Sequence, residues 1–197
     1  MPRASRAQAE SHRREVLDAA AALVRGRGVH GVTVPEVMAA AGLTHGGFYR
    51  HFQSKEDLVA QACSAANTAM NEERTRIRAA APDAATARRT FLERYLSGKH
   101  RDAPSQGCGI AALAGDVART QADSQLREVY RRGLREFADQ LDELGERSGP
   151  EIDDESLVEL ALLAGALLLS RASAGDELSE RILAAARDHL LANRPVG

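Results

Sequence analysis

The sequence has little of what disulfide-rich, metal-binding or membrane-spanning proteins usually contain. Its 197 residues include two cysteines and no tryptophan, and only 4% are aromatic. Cys63 and Cys108 lie in no Cys/His spacing of the kind that holds zinc, so we expect no disulfide framework, metal site or cofactor. The longest apolar run, residues 157–169, is interrupted by Glu159 and is shorter than the roughly 20 residues that cross a bilayer. This run predicts a buried helix.

The N-terminal segment and the charge distribution indicate where the protein works. The first twelve residues have no apolar segment of the kind found in secretory signals, so we expect a cytoplasmic protein. The formal net charge is −2, yet residues 1–55 carry eight lysine and arginine residues against four acidic ones, and four of the six histidines. This distribution predicts one end that faces a polyanion, although ordinary solvated surface charge produces an imbalance of this size too.

Apolar residues recur at helical spacing along almost the whole chain, which predicts an all-α protein of about nine helices. A first amphipathic helix is expected at about residues 12–26, and a long fourth helix after the N-cap Ser54. The last two helices are expected at about 154–172 and 176–193, and the first of them is apolar almost all round. Such a helix has to be covered on two sides, so we expect a homodimer that pairs these helices with those of a second copy.

A stretch after the first helix has the pattern of a helix-turn-helix. Thr33 and Glu36 form the two halves of a capping box around a proline in the first turn, so a second helix is expected, ending at Gly42. Thr44 is the expected N-cap of a third helix over residues 45–52. In a helix-turn-helix the second helix of the pair enters the major groove of DNA.

The pair Gly46-Gly47 stands at the start of that third helix. Glycine costs about 1 kcal/mol relative to alanine inside a helix, so two in succession need a reason. The absence of side chains would let the backbone amides at this end of the helix approach phosphates or base edges closely. We therefore expect both glycines to lie against DNA.

The aromatic residues that follow divide by helical geometry. Phe48 and Phe52 are four residues apart and share one face, so we expect them in the core of the N-terminal part. Tyr49 and His51 point elsewhere and would be able to donate hydrogen bonds to phosphates.

The stretch TVPEVMAAAGLTHGGFYRHFQSKEDL, residues 33–58, resembles the DNA-binding signature of the TetR family of bacterial transcriptional regulators. The resemblance implies a three-helix DNA-binding domain over residues 1–55, followed over residues 56–197 by a helical effector-binding and dimerisation domain. It also implies that the partners are double-stranded operator DNA, a small-molecule effector and a second subunit that pairs through the last two helices.

Carried over position by position, the resemblance makes Thr33 a phosphate contact and His45 and Gly46 neighbours of base edges. Thr44 caps its helix and, in the family, often contacts DNA as well. Arg3 and Arg6 lie on an N-terminal arm that reaches an adjacent groove. The complete set of expected DNA-binding residues is Thr33, Thr44, His45, Gly46, Gly47, Tyr49, Arg50, His51 and Lys55.

The larger domain gives weaker indications. Candidate effector-binding residues are those on the inner faces of the central helices together with one cysteine, namely Phe91, Tyr95, Cys108, Leu113, Tyr130 and Phe137. Aromatic residues at helical spacing also fill cores, so most of these could serve packing alone. The segment 106–114 resembles a stretch in one subgroup of the family whose members sense electrophiles or oxidants through a cysteine; the alternative is that Cys108 is an inert apolar filler.

Three functions are compatible with these patterns. The leading hypothesis is a dimeric, ligand-responsive repressor that binds a palindromic operator and is not an enzyme; the family represses more often than it activates. The second is an enzyme with Cys108 as nucleophile, which would need a base, and neither His100 nor His189 lies in a recognisable motif. The third is a helical sensor that has lost DNA binding, which leaves the two glycines unexplained.

Overall fold

The computed structural model of the chain describes residues 6–146 and 151–192, with side chains from residue 8 onward. Within these ranges the chain forms nine α-helices, two short 3₁₀ helices and no strand, so the predicted all-α class is confirmed. The α-helices are α1 Arg6–Arg27, α2 Val34–Ala40, α3 Lys55–Ala80, α4 Ala84–Tyr95, α5 Gly98–Asp102, α6 Gly109–Ala118, α7 Gln125–Leu144, α8 Asp154–Ala172 and α9 Glu177–Ala192. The 3₁₀ helices are His45–Arg50 and Pro104–Gln106.

Short polar side chains begin most of these helices by accepting hydrogen bonds from amides that have no partner inside the helix. The predicted capping box at Thr33 and Glu36 is present, and the predicted N-cap Ser54 accepts from the Asp57 amide. The other caps of this type are Asp83, Ser97, Ser124 and Asp153.

Helix α3 is the common scaffold of the molecule. It packs against α1 on one side and against α7 on the other, while α8 and α9 pack together. The resulting core is continuous from Val16 and Phe48 in the N-terminal part to Phe137 and Leu163 in the larger part. Because α3 runs without a break from its first turn into the larger part, the two parts share one helix.

Helix α1 is longer than predicted, and a short helix with its own N-cap follows α4. Helix α1 begins at Arg6, whereas the sequence predicted a start at about residue 12. Helix α4 ends at Tyr95, and α5 starts after a separate N-cap, Ser97, whose hydroxyl accepts from the His100 amide at 3.2 Å. Within the described ranges, no helix is long and apolar enough to span a membrane.

Candidate DNA-binding interface and ligand cavity

The turn after α2 sets the direction of the helix-turn-helix. Gly42 has a φ of 70°, its amide donates to Ala39 O at 3.0 Å, and the Leu43 amide donates to Met38 O at 2.9 Å. These two bonds are a Schellman motif, which ends a helix with a residue in the left-handed region. Glycine adopts that conformation without the strain that a Cβ would cause, so the predicted helix end at Gly42 is confirmed.

The next element corrects the prediction of an α-helix over residues 45–52. His45–Arg50 is a 3₁₀ helix, and Thr44 makes no side-chain cap hydrogen bond, so its expected role as an N-cap is wrong. Two consecutive glycines give the segment a weak preference for the α-helix, and a tighter turn forms instead, closed by the Gly47 amide on Thr44 O at 3.1 Å. The exposed Thr44 hydroxyl is therefore not used as a cap.

The aromatic residues of this segment lie as predicted. Phe48 and Phe52 are 1% and 2% exposed and stack with ring centroids 5.6 Å apart, which fixes the 3₁₀ helix to the core. Tyr49 is 75% exposed and touches Phe48 with its ring edge at 5.1 Å. An exposed hydroxyl on a ring held by a buried neighbour is available for a hydrogen bond to an external partner.

The fold itself does not need Gly46 or Gly47. Neither has a positive φ, a Cβ on Gly46 would meet no atom of the described residues within 4 Å, and one on Gly47 would make an ordinary 3.7 Å contact with the Met38 methyl group. The free protein thus has room for a side chain at both positions. Their expected closeness to DNA stays a prediction, which this open space supports.

The Thr33 side chain is hydrogen-bonded within its own helix. Its hydroxyl donates to Glu36 Oε2 at 2.7 Å, and its amide donates to the same oxygen at 2.9 Å. These bonds hold the pKa of the Glu36 carboxyl below its usual value. To donate to a phosphate, the Thr33 hydroxyl would first have to leave the carboxylate.

The remaining predicted DNA contacts surround the exposed turn. His45 and Arg50 are exposed, and His51 and Lys55 are partly exposed. Partial burial and the nearby cationic groups, including Arg13, lower the pKa of His51. Arg3 lies outside the described residues, as does the Arg6 side chain.

A cavity of about 570 Å³ opens between α3, α4, α5 and the segment leading into the Pro104–Gln106 turn. Its volume lies within the range of about 300 to 1,000 Å³ that is usual for small-molecule sites. Two predicted effector-binding residues, Phe91 and Tyr95, line it. The sequence analysis named none of its other lining residues as effector contacts, Arg74 and His100 among them.

The other four predicted effector residues do not line this cavity. Phe137 packs behind its aromatic wall, 6.1 Å from Phe91 by ring centroid, and Cys108 is 2% exposed. The Tyr130 hydroxyl donates to Ile110 O at 2.8 Å, so it is already hydrogen-bonded within the protein. Leu113, 1% exposed, belongs to the core.

His100 is held in the neutral form beside the cavity. Its Nδ1–H donates to Tyr95 O at 2.7 Å, and its Nε2 accepts from the Cys108 amide at 3.1 Å. Because Nε2 is occupied by the backbone amide, this pair does not have the base-to-thiol arrangement that the enzyme hypothesis would need. Burial is the main cause that lowers the pKa of His100, and the charge of Arg171 adds to it.

This environment predicts a loss of stability in mild acid. The unfolded chain takes up a proton near the ordinary histidine pKa of 6.5, whereas the folded chain does so only at lower pH. The free energy of unfolding should therefore fall as pH drops from about 7.5 to 5.5, with this histidine adding a slope of at most about 1.4 kcal/mol per pH unit. In His100→Gln, which keeps an acceptor but cannot titrate, denaturant titrations should show a smaller slope. Equal slopes in both proteins would contradict this assignment.

The outward face of α8 is apolar, and no other described residue covers it in the single chain. Buried positions of α8 fall on one side, whereas Leu157, Val158, Leu168 and Leu169 are 47%, 66%, 47% and 58% exposed. Leu178 of α9 adds to this surface at 49%. Several large apolar side chains exposed on one helix face usually mark an interaction site.

Known proteins resemble the part of the chain that contains the helix-turn-helix. The family model described as "Bacterial regulatory proteins, tetR family" matches residues 16–62. The HTH-type transcriptional repressor KstR2 of Mycobacterium tuberculosis is 42% identical over 52 residues, 26% of each chain. KstR2 of Rhodococcus jostii is 47% identical over 47 residues, 24% of this chain and 23% of that protein. The match thus spans about a quarter of the length of these curated relatives.

Solved structures resemble the chain over nearly its whole length. A TetR transcriptional regulator from Chloroflexus aurantiacus is 26% identical, with 94% of this chain and 95% of that chain covered and a TM-score of 0.76. Escherichia coli NemR in its reduced form is 21% identical, with 90% and 96% covered and a TM-score of 0.74. The likeness to NemR shows the fold alone.

The matched residues contain α2, the turn at Gly42 and the His45–Arg50 helix, which are the parts that read DNA in a helix-turn-helix. The fold and this site therefore place the chain among helix-turn-helix transcriptional regulators, a class of proteins that are not enzymes. Within that class, residues 16–62 match the family model of the TetR bacterial regulatory proteins, and the fold of nearly the whole chain is similar to that of a solved TetR regulator.

Proposed function

We propose that the protein is a ligand-responsive repressor that binds a palindromic operator as a homodimer and leaves it when a small-molecule effector occupies the cavity. The observation that carries the proposal is the exposed face of the His45–Arg50 helix, with Tyr49 75% exposed above a fully buried Phe48. Residues 1–55 form the DNA-binding domain in this proposal, and residues 56–197 bind the effector and dimerise. The KstR2 relatives are transcriptional repressors, which supports repression over activation.

The DNA contacts proposed are the nine residues from the sequence analysis. In this proposal His45 and Gly46 contact base edges, and Tyr49, His51 and Lys55 contact phosphates. Thr44 joins them with a hydroxyl that makes no cap hydrogen bond. Thr33, Gly47 and Arg50 complete the set.

The apolar face of α8 and α9 is proposed as the dimer interface. Pairing this face with its copy would bury the leucines and the valine of α8 that the single chain leaves exposed. A two-fold arrangement of this kind brings two recognition elements to one side of the dimer. A palindromic site with half-sites about 34 to 36 Å apart is the DNA that such a dimer fits.

The route from effector to DNA is proposed to run through α1. The cavity wall includes Gln106, and its neighbour Ser105 accepts a hydrogen bond from Arg25 Nε of α1 at 2.9 Å. A second link joins Asp116 Oδ2 of α6 to the Val29 amide at 2.8 Å, immediately after α1 ends. Movement of either segment on ligand binding would shift α1 and with it the DNA-binding domain.

The test is a selection of bound sequences from random double-stranded DNA, followed by binding measurements at about 50 to 200 mM salt. We expect a palindromic consensus and an affinity that falls steeply with salt. Lys55→Ala should weaken binding to all sequences alike and reduce the slope of log affinity against log salt by about 1, because one phosphate contact is lost. Lys99→Ala removes the only other lysine, far along the chain in α5, and should leave the slope unchanged.

Two results would count against the proposal. Absence of any consensus, with weak binding only, would favour a helical sensor without an operator. Equal slopes for the two lysine variants would remove Lys55 from the interface.

A further inference from the structure

The cavity has an apolar wall and a polar wall. Met70, Ile77 and Phe91 supply the apolar side. On the other side lie Arg74 and Tyr95, which are 4% and 3% exposed. A buried arginine is normally hydrogen-bonded and paired with an opposite charge, because burying an uncompensated charge is costly.

The bonds of Arg74 leave one donor without a partner. Its Nε donates to Gln140 Oε1 and its Nη2 to Asn71 Oδ1, and its guanidinium lies over the Phe137 ring, 4.1 Å from the centroid. Its Nη1 is buried and has no hydrogen-bond partner among the described residues. Both oxygens that accept from Arg74 belong to neutral amides. Asn71 in turn donates to Glu136 at 2.9 Å, so a carboxylate stands one residue away from the guanidinium.

The other charges of the cavity do not compensate Arg74. Across the described part of the chain, no carboxylate oxygen lies within 4.0 Å of the Arg74 guanidinium. Glu73, in the lining, is already paired with Arg76 at 2.8 Å and Arg94 at 2.9 Å. Lys99 adds another cationic side chain to the lining. Burial lowers the pKa of Arg74 to about 10, so the guanidinium is still charged at neutral pH.

The Tyr95 hydroxyl is a second polar group in this wall. It too is buried and makes no hydrogen bond of ordinary geometry with the described residues. Burial is the main cause that raises the pKa of Tyr95 well above its usual value, and the neighbouring Cys108 thiol adds to it. At neutral pH the hydroxyl therefore keeps its proton and can donate it to an acceptor.

From this geometry we infer that the cavity binds a small organic monocarboxylate with an apolar body, whose carboxylate pairs with the Arg74 guanidinium and whose body lies against Phe91, Met70 and Ile77. The buried guanidinium carries one positive charge, which matches a monoanion better than a phosphate dianion, because a dianion usually needs more than one cationic group. The inference rests on the proposed function, since it names the chemical class of the effector.

The experiment compares carboxylates with neutral molecules of the same shape on the purified full chain. The probes are 1-naphthoate and octanoate, each matched with its alcohol, 1-naphthalenemethanol or 1-octanol. Calorimetry should show at least one carboxylate binding about 10- to 100-fold more tightly than its alcohol, which is the usual contribution of a hydrogen bond to a charged group. Equal affinities within both pairs, or no binding of either carboxylate, would overturn the inference.

Variants then assign the preference to Arg74. Arg74→Gln should bind the naphthalene alcohol as the wild type does and lose the preference for naphthoate. Arg94→Gln, which removes a lining arginine already paired with Glu73, should keep that preference. If Arg74→Gln does not fold, the comparison of acids with alcohols on the wild type still decides. If Arg74→Gln folds and keeps the preference, Arg74 is not the anion-binding group.

DNA binding separates this inference from the proposed function. A carboxylate that binds but leaves operator affinity unchanged would support the ligand class and contradict release by that ligand. Operator binding by a protein that binds no carboxylate would support DNA recognition and overturn the inference about the cavity.

Discussion

A Glu159→Ala variant should lose about 3 to 5 kcal/mol of unfolding free energy, because it leaves a buried arginine without its counter-ion. Glu159 Oε2 accepts from Arg88 Nη2 at 3.1 Å, and the two side chains are 4% and 9% exposed. Arg88 Nη1 also donates to Leu190 O at 2.8 Å. Through these bonds Arg88 of α4 contacts both α8 and α9. Without Glu159 the unpaired charge of Arg88 should therefore destabilise the packing of both helices.

Denaturant unfolding of three variants tests this prediction. Asp154→Ala removes an exposed acid from the first turn of the same helix and should cost about 1 kcal/mol or less. The double variant Arg88→Met, Glu159→Leu removes both charges and should recover most of the loss, since apolar residues of similar size often replace a buried ion pair at little cost. A Glu159→Ala loss no larger than that of Asp154→Ala would show that water or another cation compensates Arg88.

The same variant bears on dimerisation. Helices α8 and α9 carry the apolar face proposed to pair with a second copy, and Arg88 bonds both of them. Loss of Glu159 should therefore weaken the dimer in sedimentation experiments as well as lower the unfolding free energy.

Local sequence patterns were sufficient to predict most helix boundaries. The capping box at Thr33 and Glu36, the N-cap Ser54 and the helix end at Gly42 are all present. Each depends on hydrogen bonds between residues a few positions apart, which the sequence alone specifies. Helix α8 spans 154–172 as predicted because its apolar run and its acidic first turn are equally local.

Charged residues on buried helix faces were the main features that the sequence analysis did not interpret. Arg74 falls on the same stripe of α3 as Met70 and Ile77, and Arg88 takes a comparable place on α4 between Ala84 and Leu92. An arginine inside an apolar stripe is a usable signal, since such a residue is rarely buried without a partner. The sequence could not show what each one meets, because both depend on contacts between distant helices.

In the segment after Thr44, local sequence patterns did not predict the type of helix. Helical spacing predicted which aromatic residues are buried, but not that the turn would be 3₁₀. Spacings of three and four residues are compatible with both helix types over six residues, so side-chain periodicity does not separate them. The cap predicted at Thr44 was wrong for that reason.

Gly46→Leu should weaken operator binding by about 100-fold while leaving the stability of the free protein nearly unchanged. In the free protein a Cβ at this position would meet no atom within 4 Å in the part of the chain that the structure describes, so the leucine has room when DNA is absent. In the complex the same side chain would stand between the 3₁₀ helix and the DNA surface. Overpacking costs typically about 1 to 3 kcal/mol, which corresponds to roughly 5- to 150-fold in affinity. Leucine should fall near the upper end of that range and Gly46→Ala near the lower end.

The matched control is Gly115→Leu. Gly115 is an exposed glycine of α6, where a Cβ would lie an ordinary 3.7 Å from the flexible end of Arg119. This variant should bind the selected DNA like the wild type. Fluorescence anisotropy with that DNA and thermal unfolding of each protein give the two quantities needed. If Gly46→Leu binds as well as Gly115→Leu does, the glycines serve no close approach to DNA, and the recognition surface must lie on other residues of the exposed turn.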